Sequence, residues 1–464
     1  MYSPSALQDA DRPLTEYDPS RNGRLLSVSQ PAPELTAERF LAQAAGRERI
    51  YWRDGSSRVT FAGMGAALDI FGYGDNRYHT VERQARELFA QATTDGGSLL
   101  AAPRLFGGFA FSDDFIPDVA WSAFHPAHFI LPHYQLTCYN GEGWLTINAL
   151  IPDGESMAEA RAGLAEAVAD RLTVLGEQTC QVSENLAGLP LEIDYPLSFA
   201  EWEQMIETAH TSFAATALKK VVLSRICQLR SQHTIDTDVA LAQLESRYPG
   251  CYVFLFEPRP HHAFLGAPPE LLVRVCGERL ETMGLAGSAP RGATAQEDAA
   301  NGAGLLASAK DRHEHSLVVE ALRRRLTPIT RCLEIADEPE LLTLSNIHHL
   351  YTPVRGKLAG PHGVLPLVEL LHPTPALGGS PRALALDFIR EHEPTLRGWY
   401  AAPVGWIDAN GDGAFAVAIR SAVVQEKRAW LYAGGGIVPA SDPQKEWEET
   451  EWKFKPMLGV LRGA

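Results

Sequence analysis

Apolar positions along this chain fall mostly into short runs of strand-like character, interrupted by a few stretches of helical spacing. Between about residues 35 and 180 the strand-like runs include Ile50-Tyr51-Trp52 and the glycine-punctuated segment from Leu105 to Phe111. Leu164, Val168 and Leu172 recur every fourth residue with Ala, Glu and Arg between them, which predicts a helix with one buried face. Ser198-Phe199-Ala200-Glu201 has the form of a capping box, and Trp202, Ile206, Ala209 and Phe213 then mark the core face of the helix it opens. Further strands are expected over Val221–Leu229, Tyr252–Phe256, Leu271–Val275, Ala414–Val424 and Ala429–Ala433, the last two forming a hairpin about Gln425-Glu426-Lys427-Arg428. Helical patterns fall at about 297–325, 379–392 and 443–459. The order lacks strict alternation of strand and helix, so an α+β class with largely antiparallel sheet is predicted. Residues 1–30 show no apolar periodicity and are expected to be a poorly ordered N-terminus. Two prolines and a glycine within residues 181–197 mark a boundary between a first α+β part, 31–195, and a second unit, 196–464.

With 464 residues the chain exceeds one ordinary domain, and 45% hydrophobic against 21% charged residues is a globular composition. A net charge of −16 argues against nucleic acid or an anionic membrane as partner. Six cysteines without a C-x-x-C pair read as reduced core residues. The start is acidic and proline-bearing rather than basic and then apolar, and no run approaches eighteen apolar residues; a cytoplasmic protein without a membrane span is expected.

Several segments suggest chemistry and lose it on inspection. Asp408-Ala409-Asn410-Gly411-Asp412-Gly413 resembles the first half of a calcium loop, but Ile419 stands where a bidentate carboxylate is needed, so a tight turn is predicted. His313-Glu314-His315 cannot converge both imidazoles on one zinc ion from a helix, and the adjacent pairs His261-His262 and His348-His349 meet the same objection. Gly434-Gly435-Gly436 follows a strand outside any nucleotide-binding frame, although its backbone could approach a small anion closely. Glu449 and Lys453, four apart on a helix, read as an exposed pair. Lys220 reads as a strand-end lysine, and Glu270, after Pro268-Pro269, as a loop carboxylate.

Eight ordered motifs change that picture. They are KVVLSR from Lys220, GAPPELL from Gly266 with Glu270, GLAGSAPRG from Gly284, KDRHEH from Lys310, LHPTPALGG from Leu371, RGWY from Arg397, AIRS from Ala418 and EWEETEWK from Glu446. Over residues 196–462 these resemble the chorismate-utilising enzymes, the family of isochorismate, salicylate, anthranilate and aminodeoxychorismate synthases. The resemblance implies a fold of two largely antiparallel β-sheets packed into one core with helices outside, the fold of anthranilate synthase component I. The first part resembles the variable N-terminal portion of that family. Lysine at 220 resembles members that add water, where ammonia-adding members carry glutamine. Ala286 stands where aminodeoxychorismate synthases place a lysine nucleophile. The LHPTPA run resembles isochorismate synthases, and the stretch from Arg397 to Asp408 resembles the menaquinone-type enzymes, with siderophore-type members as the alternative.

The reaction so implied is the reversible conversion of chorismate to isochorismate, with water entering at C2 and hydroxyl leaving from C4. It asks for a base and an acid. By resemblance Lys220 takes the proton of the water and Glu270 protonates the leaving hydroxyl, which near neutrality requires an uncharged lysine and a protonated carboxyl. Glu314 and Glu449 are implied to hold Mg²⁺, whose hard character suits carboxylate oxygens. Arg420 and Tyr400 would grip the enolpyruvyl carboxylate, Gly434 and Ser288 would add backbone donors, Lys453 a charge beside the metal carboxylate, and His349, Ala286, Gly287 and Ala376 would line the ring site. Pro268-Pro269 departs from the family's usual Ser-Pro before the acid. A salicylate synthase, an aminating subunit and a chorismate binder without activity are the competing readings. No amidotransferase partner is expected.

Overall fold

The computed structural model describes residues 17, 22–96, 98–177 and 191–463. Twenty-one strands among them are hydrogen-bonded into one network, antiparallel at every pairing except that of Arg24–Pro31 with Thr93–Asp95. Its hub is the long pair Val59–Gly72 and Ala127–Tyr139, registered from Val59↔Tyr139 to Gly72↔Ala127 around a bulge between Ala66 and Leu68. Besides a short branch through Glu142–Ile151 and Arg24–Pro31 to Thr93–Asp95, two long arms leave this hub. One passes through Arg49–Asp54, Tyr252–Arg259, His262–Gly266, Ser421–Gln425 and Arg428–Ile437 to Lys220–Arg230. The other passes through Arg104–Phe109, Pro403–Asp408, Gly413–Val417, Leu271–Cys276 and Arg279–Pro290 to Ile347–Leu358. The two expected sheets are thus present as arms that share the long central pair.

Strand alternation divides the apolar residues between two clusters. Phe254, Phe256, Phe264, Trp430 and Tyr432 enter the core that also holds Phe106 and Phe129. Their neighbours Val253, Leu255, Ala263, Leu265, Ala429 and Leu431 face the other side, where they meet residues of the helices Ala37–Ala42, Thr237–Arg247 and Pro443–Leu461. Because Phe106 of the first part and Phe264 and Trp430 of the second share one core, the boundary near residue 195 divides the chain without dividing its packing. Residues 181–190 of that boundary lie outside the described residues, as do 1–16 and 18–21 of the N-terminal segment.

Four sequence expectations change. The segment read as unstructured to residue 30 contains the strand Arg24–Pro31, with Leu25, Leu26 and Val28 buried and Ser27 Oγ donating to Asn148 Oδ1 at 2.7 Å. Long-range pairing with Glu142–Ile151 forms it, so local periodicity had little to show. The helical pattern 297–325 is two helices, Ala295–Ala307 and Ala309–Leu326, because Ser308 caps the second by accepting from Asp311 N. The run Ala414–Val424 is two strands, broken at Ala418-Ile419-Arg420, where Arg420 adopts a φ of 52°. Finally, Cys276 and Cys332 are exposed rather than buried, while Cys180 lies outside the described residues.

Other elements fall where the pattern placed them. The capping box of Ser198 and Glu201 opens the helix Phe199–Ala215, and Gln425 pairs with Arg428 across the predicted hairpin. Asp408 to Gly413 is a turn in which Asp408 Oδ1 accepts from Asn410 N and Asp412 N. No described helix is long and apolar enough to cross a membrane. A core shared by both parts predicts a single cooperative unfolding transition. Phe106→Ala, made in the first part alone, is expected to lower the stability of the whole chain by about 3–5 kcal/mol in one denaturant transition; two separable transitions would contradict the shared core.

Candidate active site

The breaks in the strand pattern explain how the site is assembled. Residues 267–270 carry the chain from His262–Gly266 in one arm to Leu271–Cys276 in the other, and residues 418–420 carry it back from Gly413–Val417 to Ser421–Gln425. The two crossings are tied together: Ala267 N donates to Arg420 O at 3.1 Å and Val417 N to Glu270 O at 3.0 Å. Gly266 is required at this junction, since a Cβ there would stand 2.8 Å from Arg420 O. Glu270 and Arg420, far apart in sequence, are thereby brought to the lining of one cavity. Pro268-Pro269 fits without opening this junction, because Pro268 O still accepts from Tyr252 N at 2.9 Å.

Glu270, Ala286, Gly287, Ser288, Glu314, His349, Ala376, Tyr400, Arg420, Gly434, Glu449 and Lys453 all line one cavity. Lys220 does not itself line it: fully buried, it stands behind Glu314, with Nζ 2.7 Å from Glu314 Oε1. Every candidate residue named from the sequence is thus brought together. A larger cavity of about 690 Å³, between residues 360–366 and the 407–412 turn, contains none of them.

Three neighbouring structures fix the donors and acceptors. The triple glycine lies opposite the Lys220 strand, with Gly436 paired to Val222 and Gly434 to Ser224. A Cβ on Gly436 would stand 2.4 Å from Glu314 Oε1 and 2.9 Å from Lys220 Cε, so glycine there leaves room for that ion pair. Gly287, at a φ of 79°, is the extra residue of a bulge between Ala286 and Ser288. Its carbonyl lies 3.3 Å from His349 Nδ1, while Ala286 O lies 3.3 Å from His315 Nδ1. On the last helix Lys453 Nζ binds Glu449 Oε1 and Gly434 O, both at 2.7 Å, and Ser288 Oγ donates to Glu449 Oε1 at 3.0 Å. Besides the backbone donors expected of them, Gly434 offers its carbonyl to Lys453 and Ser288 its hydroxyl to Glu449.

Burial sets the protonation states. It pushes the Glu270 carboxyl up to about 8 against the opposing charge of Lys220, so this acid is predominantly protonated at neutral pH. His349 is driven down to about 3 by burial and by Arg420 and Lys453, which keeps it neutral, with Nε2 free of protein partners. Burial also raises the Glu449 carboxyl, but Lys453, Ser288 and Lys310 outweigh it and hold Glu449 below the usual range, as an anion. The Arg420 guanidinium is buried and lowered by desolvation, and it forms no ion pair among the described residues. A buried cation without a protein counter-charge is a receptor for an anionic ligand.

Histidine geometry agrees with the sequence reading. His315 Nε2 meets Thr352 Oγ1 at 2.8 Å and His313 is exposed, so only Glu314 of that triplet faces the cavity. Sequence reasoning assigned no role to Lys310, Asp311 and Arg397, and to Gly436 only a backbone that a small anion could approach; all four also line the cavity. The first three sit inside quoted motifs, yet only the fold shows that Lys310 pairs with buried Glu446 at 2.8 Å, one turn before Glu449.

An α+β fold with a buried acid, a buried lysine, paired anionic glutamates and an unpaired arginine around one cavity defines an enzyme-type site for a small anion. Comparison with known proteins makes this specific. A family model described as chorismate binding enzyme matches residues 11–462. The salicylate biosynthesis isochorismate synthase of Pseudomonas aeruginosa is 38% identical over 412 residues, covering 89% of this chain and 84% of that protein. Isochorismate synthase MenF of Bacillus subtilis is 34% identical over 451 residues, covering 95% and 94%. The solved structure of MenF, the menaquinone-specific isochorismate synthase of Escherichia coli, superposes with a TM-score of 0.79 at 26% identity over 95% of each chain. This chain belongs to the family of chorismate binding enzymes.

The Glu270 carboxyl gives a prediction for stability. Its folded value lies above its unfolded one, so its contribution is present at low pH and is lost as pH rises through about 8. Glu270→Gln, which cannot ionise, is therefore expected to be more stable than the parent at pH 8.5, by on the order of 2–4 kcal/mol, with the difference vanishing near pH 4. Thermal unfolding of both proteins across that range checks it.

Proposed function

We propose that this chain is an isochorismate synthase, converting chorismate reversibly to isochorismate by water attack at C2 and loss of the C4 hydroxyl. The observation that carries this reading is a protonated Glu270 on a cavity that also holds an uncompensated arginine, with the buried Lys220 directly behind the Glu314 that lines it. Hydroxide is a poor leaving group, and an acid still protonated at neutral pH is what its departure needs. Lys220, the ion-pair partner of Glu314 in the resting site, is the amine assigned to take the proton from water, which it can do only after losing its own. Lysine rather than glutamine at 220 and Ala286 in place of a lysine nucleophile support water addition over amination. The relatives named isochorismate synthase support the same product.

Chorismate carries two carboxylates, and the cavity offers two distinct counter-charges. Arg420 suits the enolpyruvyl carboxylate, with the Tyr400 hydroxyl near Gly434 beside it. For the ring carboxylate we infer Mg²⁺ held by Glu314 and Glu449. The donor set fits: both are hard oxygen ligands facing one cavity, and Gly436 supplies the space beside Glu314 Oε1 that a methyl group would fill. When bound, the ion would neutralise the ring carboxylate and polarise it. Around it this chain's lysines hold the glutamates in place, Lys453 on Glu449 and Lys220 on Glu314. We assign the product to menaquinone biosynthesis, supported by the residues from Arg397 to Asp408 and by the end-to-end alignment with the two MenF proteins. The P. aeruginosa relative, named for salicylate biosynthesis, makes the same product the starting point of another route.

Incubating the purified chain with chorismate, with and without Mg²⁺, and separating the products tests this. Isochorismate formed only with metal, stopping at a mixture with chorismate, is expected; salicylate and pyruvate as main products would contradict it. Lys220→Gln and Glu270→Gln should each lower kcat by about 10²–10⁴-fold while chorismate still binds. Gly436→Ala should raise the Mg²⁺ concentration needed for half-maximal activity by about tenfold, since the new methyl displaces Glu314.

A further inference from the structure

Two arginines line the cavity and are held in opposite ways. Arg420 has no ion pair among the described residues, as above. Arg397 is almost entirely committed to protein groups: Nε donates to Glu393 Oε2 at 2.7 Å, Nη2 to Glu393 Oε1 at 3.1 Å and to Val222 O at 2.7 Å, and Nη1 to Leu377 O at 3.0 Å. Its guanidinium also lies 4.3 Å from the centre of the Phe111 ring. Glu393 completes the arrangement by accepting from Ser224 N at 2.5 Å and from the Ser224 hydroxyl. Both partners are buried, so the charge of Arg397 is cancelled in place.

The groups they bind matter more than the pair itself. Along its edge opposite the triple-glycine strand, the Lys220 strand is paired with Gly379–Ser380 at Lys220 and Val221, and again with Glu192–Asp194 at residues 228–230. Between these, the Val222 carbonyl and the Ser224 amide meet the Arg397 and Glu393 side chains where a neighbouring strand would otherwise be. The same guanidinium grips Leu377, beside Ala376, and leads three residues on to Tyr400.

We propose that Glu393 and Arg397 form a positioning clamp for the reaction, in which side chains replace a strand to hold Lys220, the Ala376–Leu377 wall and Tyr400 in one geometry. Arg397 is thereby a positioning residue and not a second receptor for a substrate carboxylate. This rests on the reading of the cavity as the chorismate site. A lysine at 397 keeps the charge but lacks the planar fork, and cannot reach Glu393, Val222 O and Leu377 O together. Since a displacement of about 1 Å at a reacting group can cost on the order of 10²-fold in rate, the loss should fall on kcat.

The test compares Arg397→Lys, Glu393→Gln and Arg420→Lys in the full chain with the parent. Arg397→Lys and Glu393→Gln are expected to lower kcat at least about tenfold with KM for chorismate within about threefold, whereas Arg420→Lys raises KM at least about tenfold. A readout independent of substrate accompanies it: mass-spectrometric measurement of acetic anhydride labelling at Lys220, protected in the parent and expected to become reactive in Arg397→Lys while the protein remains folded. A rise in KM at constant kcat for Arg397→Lys would overturn the clamp in favour of an anion receptor. Unchanged kcat and unchanged labelling in both clamp variants, with only a lower Tm, would reduce the pair to a structural role and overturn it likewise. If the parent does not turn over chorismate, the chorismate reading fails, and labelling at Lys220 alone then decides the clamp. Should Arg397→Lys fail to fold, Glu393→Gln, which keeps size and hydrogen-bonding capacity, decides on the same two readouts.

Discussion

Everything at the site depends on two strands crossing together from one arm of the sheet to the other. The crossings at 267–270 and 418–420 are bound to each other through Ala267 N with Arg420 O and Val417 N with Glu270 O. A continuous strand at either place would point its side chains alternately into the two apolar cores, and a carboxyl or guanidinium there would have no access to a ligand. Leaving the ladder for three or four residues turns Glu270 and Arg420 toward a shared cavity while their carbonyls keep Val417 N and Ala267 N as partners. The positive φ of Arg420 and the close approach at Gly266 are the local costs of that junction.

Around the junction the protein reconciles an acidic surface with a ligand that is itself an anion. Net charge is −16, yet Lys310, Arg397, Arg420 and Lys453 line the cavity and Lys220 stands behind its Glu314. Four of these five cations are matched to carboxylates: Lys220 to Glu314, Lys310 to Glu446, Arg397 to Glu393 and Lys453 to Glu449. Such pairs order the glutamates and leave Arg420 as the uncompensated charge. Glu270 sits on the opposite side of the same balance. Its environment is dry enough that even nearby Lys220 does not ionise it at neutral pH, which turns a carboxylate into a proton donor.

Much of this was legible before the fold, and unevenly so. Elements with strong local signals were recovered, such as the capped helix Phe199–Ala215 and the hairpin at Gln425–Arg428. The strand Arg24–Pro31 was not, because its existence depends on a partner more than a hundred residues away. The apolar run 414–424 read as one strand for an equally physical reason: Ala418 and Ile419 are as apolar as their neighbours, and nothing in composition marks a crossing between arms. Site residues were named through motif resemblance, since locally Lys220 looks like a strand end and Glu449 with Lys453 like a surface pair. What resemblance did not supply was the division of labour between Arg397 and Arg420, which rests on who their hydrogen-bond partners are.

The central claim is that an acid and a base on one cavity move water across a ring. The most direct measurement is turnover of chorismate in ¹⁸O-water with mass analysis of the isochorismate formed at low conversion. The account predicts one solvent oxygen incorporated, at the C2 hydroxyl. Isochorismate that retains only the oxygens of chorismate would mean that the hydroxyl migrates within the substrate, and would contradict the roles given to Lys220 and Glu270.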